Sequence, residues 1–332
     1  MSATDPASTP NPTTTPVFIV GAPRSGTSLL YRLLQFHDAF APRHCTDPTG
    51  VELTETGAFS APEALLDPEN RHVRGFMLND SEQLQAFRKS AGSRRPNRHI
   101  ISAADFVRRG LSRLDAPAAP RQALWAATGN DRLVRLFFEH AAAARGCRRL
   151  LEKTPQHIFY LPEIDATYAD AQKIFLHRHP VDVFVSYKRR LADSRKAGLH
   201  HSALRWLELT PKQFCARYRR YMSLALSESA RRPNNMLLLG YEDLVGDPSA
   251  QLSRLCDFLQ EPYQDAMLGH ASQRTSEFAE DPKLFRPVDP SAPAWQTYIT
   301  IQDARYIDSA LKQIAGALGS APVSYTHLRA HE

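Results

Sequence analysis

The sequence predicts an α/β fold, a three-layer sandwich with a mainly parallel central sheet. Two observations carry this. Short, fully apolar runs of strand length recur along the chain, and stretches whose apolar residues fall at helical spacing separate them. Strands that alternate with helices in this way pair parallel, and the helices cover both faces of the sheet. The size agrees, since 332 residues with 42% hydrophobic content can bury a substantial core. No internal repeat and no linker after residue 16 divides the chain, so residues 16–320 are read as a single domain.

The elements follow in order. Residues 1–15, rich in Ser, Thr and Pro, read as a disordered leader; they lack the basic start and apolar segment of a signal peptide. Val17–Val20 is an apolar run ended by Gly21, a buried strand. Thr27 to Phe36 has helical spacing, so Gly21–Ser28 is a glycine-bounded turn between a strand and a helix. That is the context of a phosphate-binding P-loop, and it makes the sandwich a P-loop-containing one. Residues 38–100 are irregular in composition, and 130–146 are helical. Strands are expected at 149–152, 173–177 and 236–239, and helices at 181–191, 210–231, 249–259 and 303–318. Tyr241-Glu242-Asp243-Leu244 is expected as a turn. Residues 321–332 are read as a non-native tail, because from Ser324 onward they break the style of the preceding helix and resemble vector-derived sequence.

Composition bounds the function. The chain has 41 Lys+Arg against 35 Asp+Glu, a net charge of +6 that suits an anionic ligand. Four scattered cysteines without a C-x-x-C pair fit free thiols and a cytoplasmic location better than a disulfide framework. His44, Cys45 and Asp47 cluster, but no second ligand pair at metal spacing accompanies them, so no metal site is expected. No stretch approaches the roughly 18 apolar residues of a membrane span.

The segment GAPRSGTS, residues 21–28, carries the chemistry. A helix begining inside it leaves backbone N–H groups free to face an anion. Gly21 and Gly26 permit close approach, Thr27 and Ser28 add hydroxyls, and Arg24 adds a permanent cation with a planar fork of donors. The lysine of an ATP-binding P-loop is replaced by Thr27. In parallel sheets ligands bind beyond the carboxyl ends of the strands, which gathers Gly21–Ser28, Lys153, Arg178 and Tyr241 at one edge.

PVFIVGAPRSGTSLLYRLL resembles the 5′-phosphosulfate loop of the sulfotransferases, in the P-R-S-G-T branch that includes tyrosylprotein and many bacterial enzymes. KIFLHRHPVDVFVS, residues 173–186, is similar to the family's 3′-phosphate segment, with Arg178 at a strand end and Ser186 eight residues on. MLLLGYEDL, residues 236–244, is similar to its strand-then-Y-E-D-L segment, and LEKTPQH, residues 151–157, to its E-K-T-P segment. The resemblance spans roughly residues 16–260 and is thin over 40–145, where acceptor specificity should lie. It departs from the family at Ala294, where a basic residue usually stands near a tryptophan, here Trp295.

The resemblance implies transfer of a sulfuryl group from 3′-phosphoadenosine 5′-phosphosulfate (PAPS) to a hydroxyl acceptor by in-line displacement, with no metal. Arg24, Ser25, Gly26, Thr27 and Ser28 would hold the 5′-phosphate and sulfuryl group. Arg178 and Ser186 would grip the 3′-phosphate, Tyr241 would lie against the nucleotide, and Lys153 would neutralise the leaving oxygen. A base is needed for the acceptor proton. Glu55 is the first choice, from the stretch ELTETGAF; Glu52 and Glu63 follow, and His157 competes. The acceptor is expected to be a small-molecule or peptide hydroxyl.

Two other functions stay open on the residues alone. A P-loop kinase or NTPase would use the same loop, but Thr27 occupies its lysine position and no strand ends in a clear magnesium ligand. A nucleic-acid binder is suggested by Arg88-Lys89, Arg94-Arg95 and Arg98-His99; the cluster lacks interleaved aromatics, so no nucleic-acid partner is expected.

Overall fold

A computed structural model describes residues 15–40, 55–60, 62, 126–127, 129–198, 204–272 and 295–318. Four strands form its sheet: β1 (Val17–Gly21), β2 (Leu151–Lys153), β3 (Gln172–His177) and β4 (Met236–Gly240). Their order is β2-β1-β3-β4 and every pairing is parallel. β1 and β3 are central, and all of their residues are buried; β1 accordingly reads as an unbroken apolar run, whereas β3 is apolar only over Ile174, Phe175 and Leu176 and also buries Gln172, Lys173 and His177.

Helices α1 (Thr27–Leu34), α2 (Asn130–Arg145), α3 (Leu161–Thr167), α4 (Pro180–Lys196), α5 (Pro211–Arg231), α6 (Tyr241–Gly246), α7 (Pro248–Leu259) and α8 (Ile301–Ala317) pack around the sheet. The period-2 alternation of the strands divides the core in two. Phe18, Val20 and Phe175 enter a cluster with Phe138 of α2, Ile164 of α3, Phe184 of α4, Met222 of α5 and Ile307 of α8. Val17, Ile19, Ile174, Leu176 and Leu239 enter a second cluster with Leu30 and Leu33 of α1 and Leu252 and Leu255 of α7. Two apolar layers on opposite faces of one sheet make the expected three-layer sandwich.

Local chemistry explains the helix starts. Thr210 and Gln213 form a reciprocal capping box at α5, as do Thr300 and Asp303 at α8. Asp247 accepts from the Ala250 N–H at the start of α7. The segment expected as a turn, Tyr241–Leu244, is instead the start of α6; Glu242 and Asp243 in its first turn suit a helix N-terminus, and the single turn is too short to show periodicity. The second strand begins at Leu151 rather than at 149, because the Arg149 side chain is committed to a network below the sheet. Its guanidinium donates to the carbonyls of Thr15 and Leu259, to Glu261 and to Gln172. Lys173 bonds Asp165 and Glu228. Charges at the amino ends of the strands are thus paired with one another.

From β1 the chain passes to β2 on one side, then crosses back to β3 and continues to β4 on the other. The direction reverses between β1 and β3. The crevice beyond the carboxyl ends of those two strands is where such sheets bind ligands. The leader up to residue 14, the tail from 319, His44, Cys45, Asp47, Glu52, Glu63, the basic cluster at 88–99 and Ala294 lie outside the described residues.

Candidate active site

The loop after β1 is built by contacts only glycine allows. A Cβ on Gly21 would stand 2.7 Å from the Leu176 carbonyl oxygen, where β1 meets β3. Gly26 has φ +98°, and its Cβ would lie 2.4 Å from the Tyr241 ring. Arg24 is also left-handed, with φ 72°. The Ser25 N–H between them closes the turn on the Ala22 carbonyl at 3.2 Å. Gly26 is the N-cap of α1 and no side chain caps the helix, so the first-turn N–H groups are not taken up by a protein side chain. The Ser25 hydroxyl is buried and has no hydrogen-bond partner.

Arg178 follows β3 and Tyr241 follows β4. The Arg178 guanidinium lies over the Tyr241 ring, 4.2 Å from its centroid, and the Cδ2–Cε2 edge of that ring meets Gly26. Tyr241 therefore connects the loop to Arg178. The Tyr218 hydroxyl donates to the Arg178 carbonyl at 2.5 Å, and the His179 N–H donates to Glu242 at 2.8 Å. Burial raises the Glu242 carboxyl above its ordinary pKa. These bonds fix the corner, yet Arg178 Nε is buried without a partner. A charged donor left unpaired inside a protein is costly unless an anion completes it. Ser186 is on α4, and its hydroxyl accepts from Arg24 Nε at 3.2 Å.

On the far side of the loop, at the end of β2, Lys153 Nζ donates to Glu55 Oε1 at 2.6 Å. Lys153 is buried, whereas the Glu55 side chain is 42% exposed. The Glu55 N–H also donates to the Lys153 carbonyl at 2.8 Å. Glu55 is left-handed, with φ 53°. His157 is fully buried; its Nδ1 faces Glu152 Oε2 at 3.1 Å and its ring stands edge-on to Phe59. That position is a core one and sets it apart from the half-open Glu55.

Sequence reasoning missed three residues. Tyr187 follows Ser186, is bonded by Arg217 and lies within the field of Arg24; burial pushes its phenol up to about 12. Tyr221 lies within the fields of Tyr187, Arg217 and Glu55, and burial holds its phenol well above the ordinary value. Arg217 and Tyr221 are four residues apart on α5, one helical face, which was the available signal. Among the described residues no group of three or more His, Cys, Asp or Glu is placed to hold a metal ion, and no helix is long and apolar enough to cross a membrane.

Comparison with known proteins agrees with this geometry. A family profile described as "Sulfotransferase family" matches residues 16–265. Nodulation protein NoeE of Sinorhizobium fredii is 29% identical over 176 residues, a stretch that is 52% of this chain and only 30% of that protein. The sulfotransferase domain of the Synechococcus PCC 7002 olefin synthase has the same fold, with a TM-score of 0.50 at 19% identity over 90% of this chain and 95% of that one.

Proposed function

The chain belongs to the sulfotransferase family, and from that premise we propose that it moves a sulfuryl group from PAPS to the hydroxyl of a small-molecule or peptide acceptor by in-line displacement. The kinase or NTPase reading shares only the loop and its fold. The observation that carries the proposal is the convergence at one sheet edge. An anion-ready loop, Arg178 with a buried Nε that has no hydrogen-bond partner, and the Lys153–Glu55 pair all stand at the carboxyl ends of adjacent strands.

The residues fit the donor on their own chemistry. The Ser25 hydroxyl and Arg178 Nε are buried donors without protein partners. The uncapped start of α1, with Thr27 and Ser28 in its first turn, favours a phosphate-like anion. In this assignment Arg24, Ser25, Gly26, Thr27 and Ser28 hold the 5′-phosphosulfate, Arg178 and Ser186 the 3′-phosphate, and Tyr241 the nucleotide. The Arg24–Ser186 bond, at 3.2 Å between a half-buried arginine and a buried serine, is one both residues exchange for anionic oxygens.

When bound, PAPS would supply an activated sulfuryl group whose leaving group is the 5′-phosphate of 3′,5′-diphosphoadenosine. Glu55 Oε1 is engaged by Lys153, so Oε2 is left to take the acceptor's proton. An ammonium has three donors and Lys153 directs one to Glu55; the remainder would be available to neutralise negative charge on the leaving oxygen. One ion pair thereby joins the group that removes a proton to the group that neutralises the departing charge.

The test is a melting experiment without divalent metal, followed by an acceptor screen with labelled PAPS. 3′,5′-Diphosphoadenosine (PAP) at a hundredfold excess over Kd should stabilise the protein by about 2.7 kcal/mol. Protection by ATP with magnesium and none by PAP would overturn the assignment.

A further inference from the structure

We propose that Glu152 is the positioning residue of this site: one buried carboxylate holds both Glu55 and Lys153 in their reacting arrangement. The proposal rests on the reading of those two residues as base and leaving-group cation.

Glu152 lies in β2 opposite Phe18, so its side chain enters the aromatic face of the sheet, where Phe59 and Phe138 pack on Phe18. It is fully buried. A carboxylate there is costly unless its oxygens are hydrogen-bonded. Three donors meet it. Thr56 Oγ1 donates to Oε1 at 2.8 Å, Thr154 Oγ1 donates to the same oxygen at 2.5 Å, and His157 Nδ1 faces Oε2 at 3.1 Å. Thr56 is the residue after Glu55, and Thr154 the residue after Lys153. A single oxygen therefore ties together two chain segments that are 98 residues apart in sequence.

The backbone shows why a tie is needed. Glu55 has φ 53° and Gly57 φ 64°. A left-handed residue other than glycine costs roughly 1–3 kcal/mol and persists only where its surroundings hold it. Two bonds do so: the Glu55 N–H on the Lys153 carbonyl, and the Thr56 hydroxyl on Glu152. Thr56 Oγ1 also accepts from the Ala58 N–H at 3.3 Å, closing the turn. Thr154 stands at the N-cap position of the 3-10 turn Pro155–Tyr160 but does not cap it, because its hydroxyl is directed to Glu152. Both threonines thus serve the carboxylate, and the carboxylate serves the residues beside them.

Thr56→Val keeps the shape and removes one hydroxyl. We expect kcat for desulfation of labelled PAPS, with the acceptor from the screen or with water, to fall by ~10²-fold, the usual effect of a misplacement of about 1 Å. PAP affinity measured by calorimetry should stay within about twofold, since the phosphate loop is untouched, and Thr56→Ser should restore turnover. A crystal structure of Thr56→Val should show the Glu55–Lys153 contact broken. A merely structural role predicts a lower melting temperature with normal kcat and the contact intact, and that result overturns the proposal. If Thr56→Val does not fold, Thr154→Val makes the same test from the Lys153 side. If the wild-type protein does not bind PAP, the sulfotransferase assignment fails, and the crystal structure of the variant still decides whether Glu152 holds the pair.

Discussion

Glu55 and Lys153 limit each other. At 2.6 Å the ammonium keeps one carboxylate oxygen occupied, and the carboxylate keeps the buried ammonium compensated. Glu55→Gln retains size and polarity but removes the basic oxygen, so turnover should fall by roughly 10²–10⁴ while PAP binding persists. Turnover across phenols of graded acidity separates the roles. Loss of Glu55 should penalise the least acidic acceptors most, and Lys153→Ala should slow all of them alike. Near-normal turnover in Glu55→Gln would move the base to another residue. Arg178→Ala should instead raise the donor KM by roughly 10- to 100-fold with little change in kcat, because a charge-assisted bond far from the reacting atoms is made equally in ground and transition states. A fall in kcat at unchanged KM would show that Arg178 does not hold the 3′-phosphate. Local sequence carried Arg24, Lys153, Arg178 and Tyr241, since each follows an apolar strand run. Glu152 was hidden because its meaning depends on Thr56, a partner 96 residues away. The Arg24–Ser186 bond was not legible, because it joins residues 162 positions apart in the chain.

At the level of elements, the corner between β1 and α1 depends on α6. The edge of the Tyr241 ring fills the space a side chain on Gly26 would need, and the ring carries the Arg178 guanidinium. Gly26→Ala meets two obstacles, a φ of +98° and a clash at 2.4 Å with the Tyr241 ring. The backbone strain alone costs roughly 1–3 kcal/mol. PAP affinity should fall by at least about tenfold, with a lower melting temperature. Adding Tyr241→Ala should recover part of the melting temperature but none of the affinity, because the clash is relieved while Arg178 loses its platform. Losses that simply sum would mean that loop and α6 are not coupled. The alternation of strands and helices was legible in the sequence because β1 is buried on both faces and carries an unbroken apolar signal, and β3 carries a short one at Ile174, Phe175 and Leu176. α6 was not, since one turn of helix has no period to read and its polar residues look like those of a turn. Bounds shifted at the start of β2, where Arg149 is committed to its own network, and at the end of α4, expected at 191 and found at Lys196, where the last residues are mostly exposed and polar.

For the whole molecule, the sheet's two ends differ in kind, and the difference has a pH signature. Arg149 and Lys173 at the amino ends find their partners within the protein. At the carboxyl ends β3 runs into His177, buried beside β4 and the start of α6, with a pKa lowered to about 4, chiefly by burial and also by Arg254, against the opposing pull of Asp243. His179 is lowered for the same leading reason. A histidine that stays neutral when folded gains its proton only on unfolding, where its pKa is about 6.5. Below that pH the unfolded state binds more protons than the folded one, so stability falls as pH falls. For His177 the loss runs from about pH 6.5 down to about 4 and amounts to roughly 3 kcal/mol at most. Glu242 acts in the opposite sense, because its raised pKa makes ionisation destabilising above the ordinary carboxylate range. The difference between wild type and His177→Asn isolates the histidine from that background. Urea midpoints measured from pH 7.5 to 4.5 should decline less steeply in His177→Asn than in the wild type, with the two curves separating below about pH 6.5. Parallel curves would mean that His177 takes up its proton in the folded state, and that the carboxyl edge of β3 is open to water beside Arg178.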